Sequence, residues 1–414
     1  MLSFQFQYGH QPKRTRSCDS DEIDPSVSVA YIYSNSLLVE SSKTPNIGKR
    51  AKMVHHLIKA YGLLDFVKVI EPKLANAEQL SQFHSSSYVD YLLSLRNESE
   101  ENDASNHSST DESSEDESDC DEESNEEFGI GYDCPPLKNL FQYVSHMAGS
   151  TLTAANTLIN GEADVVINWC GGWHHAQRDE AEGFCYVNDI VLGIQELRKK
   201  FEYVLYIDFD IHHGNGVENA FAFTRKVFTL SIHKYEPGFY PGTGSLDDIG
   251  IGNGKYHSLN IPLKTGISDE PYISMFQSIS EKVFAAFQPD CIVVQCGADC
   301  ITGDKLGDFN LTPKALGLCI KHILSWKRPV MVLGGGGYNL VNTAKCWTYL
   351  TSVILAREIP SEIPEHKYFT LYGPDFDLEI TPSHRKDCNT KDELGRTVIK
   401  VADLMDKLRN ETLP

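Results

Sequence analysis

A chain of 414 residues, 41% of them hydrophobic, can bury a large core in one to three domains; with no apolar run of about eighteen residues and no signal-peptide pattern, it is expected to be soluble and intracellular rather than membrane-spanning. Its 11 cysteines are odd in number and lack paired spacing, which predicts reduced thiols rather than a disulfide framework. The formal charge of −21 is concentrated between Asn97 and Glu127, where 15 acidic residues occur with no Lys or Arg; without them the charge is −6, which gives no support to direct nucleic-acid binding and suits cationic partners such as lysine-rich tails.

Residues 1 to 27 read as a mobile arm. Within it, Lys13, Arg14 and Arg16 form either a weak nuclear-import signal or a solvated charge cluster. Val27 to Tyr33 reads as the first strand. Lys49 to Leu64 has helical spacing, with Met53, Leu57, Ile58 and Leu64 on one face. Gln79 to Leu95 predicts one or two further helices. Asn97 to Glu127 is almost devoid of apolar residues and reads as a disordered insertion in a surface loop; Ser114 and Ser118, with acidic residues downstream, suit an acid-directed kinase. Order returns at Gly129, and Val144 to Ile159 predicts a helix.

Strand, loop and helix then alternate. Predicted strands are Val165 to Asn168, Val204 to Ile207, Val227 to His233, His257 to Ile261, Cys291 to Gln295 and Pro329 to Leu333. Predicted helices are Ile190 to Lys200, Ile273 to Phe287 and Thr312 to Leu324. This alternation predicts an α/β domain with a parallel sheet covered on both faces. The polar chemistry falls just past the strand ends, where ligands bind in open α/β sheets.

After Val204–Ile207 come Asp208, Asp210 and His212 at alternate positions, so their side chains leave one face while His213 points away. Buried carboxylates so close repel unless a cation lies between them. Asp210, His212 and Asp299 make a candidate open divalent-metal site, suited to zinc with iron(II) as the rival. Tandem His174-His175 follows a strand and a Gly-Gly-Trp turn, as expected of proton-transfer groups, with Asp208 as an orienting partner. Gly334 to Gly337 lack the Lys-Ser/Thr of a phosphate loop. They let backbone pack closely and aim Tyr338, either as a donor to a developing oxyanion or as a core tyrosine.

GGWHHA, GFCYVND, DFDIHHGNG, PGTG, GAD and GGGGYN followed by CWTYLT stand in this order. Together they resemble the zinc-dependent histone deacetylases, class I in particular, from about Val27 to Leu378. The resemblance implies the arginase/deacetylase α/β fold, a single domain with a central eight-stranded parallel sheet and a narrow active-site tunnel. It divides the chain into the arm (1–27), a catalytic domain (28–380) interrupted by 97–127, and a C-terminal helical segment (381–414). It implies zinc on Asp210, His212 and Asp299, an acid–base pair of His174 and His175, and a carbonyl-polarising Tyr338. Asp133 would hold the substrate backbone, Gly183 would accept from the lysine N–H, and Phe184, Tyr240 and Leu306 would form walls and rim. Structural potassium would involve Asp208, Asp210, His212, Ser231 and Ile232. The implied reaction is hydrolysis of N-ε-acetyl-lysine in histones and other proteins, in the nucleus and also the cytoplasm, without DNA or membrane contact. Nothing in the motifs specifies a corepressor.

There are departures. Class I has Asp at Asn215, the partner of the second His, and a neutral Asn there is expected to favour imidazolium less at His175. Tyr240 stands where one branch has Phe, and Lys52 replaces a serine phosphorylated in that branch. Three rival readings follow from the same residues: an acetylpolyamine deacetylase, an arginase-like two-metal enzyme, and a non-catalytic acetyl-lysine binder. The arginase type needs Asp-x-Asp at Asp299, and here Asp299-Cys300-Ile301 supplies one carboxylate.

Overall fold

The computed structural model describes residues 27–105 and 128–412, with side chains described outside 96–105 and up to 411. The basic cluster of the arm, Ser114 and Ser118 lie outside these residues. Eight strands build one sheet: β1 (Val29–Ile32), β2 (Lys68–Ile70), β3 (Val165–Asn168), β4 (Val204–Asp208), β5 (Val227–Lys234), β6 (Ser258–Leu263), β7 (Cys291–Gln295) and β8 (Val330–Leu333). Their order is β2-β1-β3-β8-β7-β4-β5-β6, and every pairing is parallel. This is the eight-stranded α/β architecture that the resemblance implies.

Strand side chains alternate between two apolar layers. On β4, Leu205 and Ile207 join the layer that includes the Asp269–Phe287 and Pro313–Ser325 helices. Val204 and Tyr206 join the other, built largely on the Leu140–Ile159 and Asp189–Leu197 helices. Both layers are built of buried apolar side chains, which explains why these strands read as unbroken apolar runs. The C-terminal Lys391–Thr412 helix buries Val401, Leu404, Met405 and Leu408 in the first layer.

Several boundaries differ from expectation for local reasons. The helix predicted over Lys49–Leu64 spans Arg50–Ala60, because Gly62 adopts φ 69° and breaks the ladder. The Ser86–Ser105 helix runs into the stretch expected to be disordered from Asn97 onward. Glu98, Glu100 and Glu101 are good helix formers, so loss of apolar residues alone does not end it. Residues 106–127 lie outside the described residues. β2 was not predicted: it is a three-residue edge strand with two exposed residues and no apolar run. The sixth strand extends through Pro262, tolerated on the edge strand β6. The nine described cysteines are all free, and no described helix is long and apolar enough to cross a membrane.

His84 joins the fold to the strand-end loops. Its Nε2 accepts from the Asn188 N–H at 3.1 Å, so Nδ1 carries the proton toward the Arg178 carbonyl at 3.2 Å. Burial lowers this histidine to about 4. The folded pKa lies below the unfolded one, so the unfolded chain binds the proton first. The stabilisation is therefore complete above about pH 6.5 and lost as pH falls toward 4, amounting to about 3 kcal/mol. Thermal melts should show acid destabilisation over that interval, and His84→Gln should make the profile flatter; an unchanged profile would refute the assignment.

Candidate active site

The four central strands β3, β8, β7 and β4 are consecutive neighbours, and each delivers a functional segment just past its C-terminal end. β4 is followed by Asp210 and His212, β7 by Asp299, β3 by His174 and His175, and β8 by Gly334–Tyr338. Six of these side chains, with Asp208, are buried or partly buried at one place in the fold.

Asp210, His212 and Asp299 can present ligand atoms that all lie within 4.8 Å of one another. His212 Nδ1 stands 3.1 Å from Asp210 Oδ1 and 3.1 Å from Asp299 Oδ2. Its ring stacks on Phe239 at 5.1 Å. Burial disfavours charge on His212, but the two carboxylates outweigh it and hold the ring up to about 10. Asp299 is raised to about 7 by burial and by its neighbour Asp210. Burial likewise opposes charge on Asp210, yet His174 and His212 hold it well below the usual carboxylate range. Two buried carboxylates around one nitrogen ligand are a donor set that a divalent cation satisfies.

The surroundings orient this cluster. Asp210 Oδ2 accepts from Gln295 Nε2 at 2.8 Å and from the Gly336 N–H at 2.9 Å. A Cβ on Gly336 would lie 2.0 Å from Asp299 Oδ2, so only glycine lets the β8 loop approach the carboxylates. Asp304 accepts from the N–H groups of Tyr338 (2.7 Å) and Asn339 (2.9 Å), and from Leu306 (2.9 Å), fixing the tyrosine and a rim residue together. Buried Arg50 donates to the Gly337 carbonyl at 2.9 Å and lies over Trp347. Tyr338 is partly buried; burial, then Asp299 and Asp210, push its hydroxyl well above its ordinary value, so it stays a donor at neutral pH.

The two histidines differ. His174 Nδ1 donates to Asp208 Oδ2 at 2.8 Å, and Asp208 also accepts from the Tyr206 hydroxyl at 2.6 Å. Burial pushes His174 down, but Asp208 and Asp210 prevail and hold it up to about 9. His175 Nδ1 meets Asn215 Oδ1 at 2.8 Å. Burial, reinforced by His174 and His212, leaves it well below its ordinary value and therefore a free base. Buried Asp189 accepts from the N–H groups of Gly172 (3.0 Å) and Trp173 (2.8 Å), holding the loop that carries both rings.

A cavity of about 290 Å³ is lined by Asp133, His175, Gly183, Phe184, His212, Phe239, Tyr240, Leu306 and Tyr338. All the residues expected at the substrate walls and rim are thus brought together. Asp133 Oδ2 accepts from the Gly183 N–H at 2.8 Å. Gly183 (φ 57°) has no room for a side chain, since a Cβ would lie 2.5 Å from the His175 ring and 2.7 Å from the Tyr240 hydroxyl. Tyr240 is 39% and Leu306 46% exposed, which places both at the mouth. A larger cavity of about 760 Å³, lined by residues such as Lys314, Arg357 and Glu379, contains none of the candidate residues. Ser231 on β5 is the registered partner of Asp208, with Ile232 next to it, so the expected potassium residues are neighbours. His213 is turned away, toward Thr243 at 2.8 Å. Sequence reading did not single out Phe239, Gln295, Asp304, Asp189 or Glu182; Asp189 closes GFCYVND, Gln295 ends a predicted strand and Phe239 lies just before PGTG, whereas Glu182 and Asp304 fall in none of the motifs.

A parallel sheet whose central strand ends gather an Asp-His-Asp cluster, two histidines and a tyrosine around one cleft defines a hydrolase of the deacetylase type. Residues 44–354 match the family described as histone deacetylase domain. The chain belongs to the histone deacetylase family and is a lysine deacetylase, an amide hydrolase. It is similar to histone deacetylase 8 of Danio rerio, with 45% identity over 92% of this chain and 96% of that protein. It is also similar to histone deacetylase 8 of Xenopus tropicalis, with 49% identity over 84% of this chain and 88% of that protein. Histone deacetylase 1 of Homo sapiens is 44% identical over 84% of this chain and 68% of its own length.

Proposed function

We propose that the chain removes acetyl groups from N-ε-acetyl-lysine in histone tails and other lysine-rich protein segments, as a mononuclear zinc hydrolase acting in the nucleus and also the cytoplasm. The observation that carries this reading is that His212 of the Asp-His-Asp cluster, His175 and Tyr338 line one cavity of about 290 Å³. Asp210, His212 and Asp299 would hold the zinc; oxygen and imidazole donors suit it, with iron(II) the rival that metal analysis separates. When bound, the metal supplies Lewis-acid polarisation of the amide carbonyl and a lowered pKa for water.

The chain's own groups do the rest. His175, neutral and with Nδ1 committed to Asn215, offers Nε2 as the general base for the attacking water. Once protonated, it returns that proton to the departing lysine nitrogen. His174, held charged by Asp208, places positive charge beside the developing anion. Tyr338 donates its hydroxyl to that oxyanion, a contribution of roughly 3–4 kcal/mol for such donors. Asp133 and Gly183 orient the substrate's backbone and side-chain N–H. Phe184, Phe239, Tyr240 and Leu306 exclude water from the aliphatic stem. Asp208, Asp210, His212, Ser231 and Ile232 would form a structural potassium site that stiffens the strand end.

Among the described residues, the Asp-His-Asp triplet is the one such cluster, and Ile301 stands where an Asp-x-Asp pattern would place a second carboxylate, which favours one catalytic metal over an arginase-like pair. Turnover of acetyl-lysine peptides measured against acetylated polyamines, with metal analysis on the same sample, tests the reading. Preference for the peptide with one zinc per chain is expected; preference for the polyamine would overturn the substrate assignment.

A further inference from the structure

Asn215 stands where a carboxylate would normally face the second histidine, and a carboxylate lies one hydrogen bond further out. Asn215 Nδ2 donates to Glu182 Oε1 at 2.8 Å, while its Oδ1 accepts from His175 Nδ1 at 2.8 Å. The Tyr240 hydroxyl donates to the same Glu182 oxygen at 2.8 Å, and Gln177 Nε2 donates to Oε2 at 2.6 Å and to the His175 carbonyl at 3.0 Å. One partly buried carboxylate therefore gathers donors from the His175 loop, the Asn215–Phe221 helix and the tunnel wall.

A side-chain amide can turn either end toward a histidine, but an ionised carboxylate only accepts. Glu182 removes that ambiguity. It requires Nδ2 to face outward, so Oδ1 faces His175, Nδ1 carries the ring proton, and Nε2 keeps its lone pair for the cavity. We propose that Glu182 is a positioning residue of the deacetylation reaction, acting through Asn215 to hold His175 in its base-competent tautomer and pinning the Tyr240 hydroxyl to the wall. Glu182 and Asn215 act as a pair: the negative charge is moved outward rather than lost. This inference rests on the reading of His175 as the general base.

The pair makes a prediction that simple loss of packing does not. In Glu182→Ala, kcat on an acetyl-lysine peptide should fall about tenfold to a hundredfold with KM little changed, as for orienting partners of site histidines. Asn215→Asp alone should also lose activity, because it sets two carboxylates at the separation now held by an N–H···O bond. In Glu182→Gln/Asn215→Asp the amide and carboxylate exchange places, and kcat should recover above either single variant. Thermal melts on each variant separate folding from function. Independently of activity, 15N-histidine NMR of the full chain should show His175, assigned by the signal lost in His175→Ala, as a single Nδ1–H tautomer that becomes mixed in Glu182→Ala. Parental kcat in Glu182→Ala, a double variant no better than the singles, or an unchanged tautomer would overturn the proposal. If the parent itself fails to turn over acetyl-lysine, the functional reading fails, and the NMR result still decides the role of Glu182 at His175.

Discussion

Replacing Tyr338 by Phe is expected to lower kcat and kcat/KM together, by about a hundredfold or more, in line with other oxyanion donors. Phe keeps the ring, its contact with Phe184 at 5.7 Å and the two backbone bonds to Asp304, so the melting temperature should barely move. What disappears is a hydroxyl that burial and two acidic neighbours keep protonated. A donor used mainly in the transition state lowers turnover without weakening substrate binding. Metal content should be unchanged, because the tyrosine is not proposed as a ligand. Steady-state kinetics and metal analysis on one preparation check this; parental turnover would reduce Tyr338 to a packing residue.

Asp210→Asn should abolish turnover by a different route. Asn has nearly the same shape but removes the charge that, with Asp299, makes the cluster a cation site. The variant should come off purification without its transition metal, whereas the parent should hold one per chain, potassium excluded. Two catalytic metals in the parent would contradict the mononuclear reading. A variant that retained its full metal complement would remove Asp210 from the ligand set.

Much of this centre was legible in sequence because buried parallel strands announce themselves. Val204–Ile207 and Cys291–Gln295 are apolar runs with no competing pattern, and the polar residues just beyond them can only lie at strand ends. What period and composition could not reveal was partnership at long separation. Gln295 reaches Asp210 across 85 positions, and Glu182 reaches Asn215 across 33. Neither contact has a local signature. The acidic helix extension escaped for the opposite reason: glutamate favours helix locally even where nothing apolar calls for burial. β2 escaped because three residues are too few to show alternation.

The strand order also sets a schedule for synthesis. β1, β2 and β3 form one side of the sheet and β4, β5 and β6 the other, each from strands that precede β7 in the chain. β7 and β8, the last strands made, lie in the middle and join them. Asp299 and Tyr338 arrive with that closure, while His174 and Asp210 wait on opposite halves. A growing polypeptide thus has no deacetylase to release until the segment after Val330 has left the ribosome. Before then the β3 and β4 edges that β8 and β7 come to cover are unpaired, so the active site and the continuous sheet are completed by the same two strands.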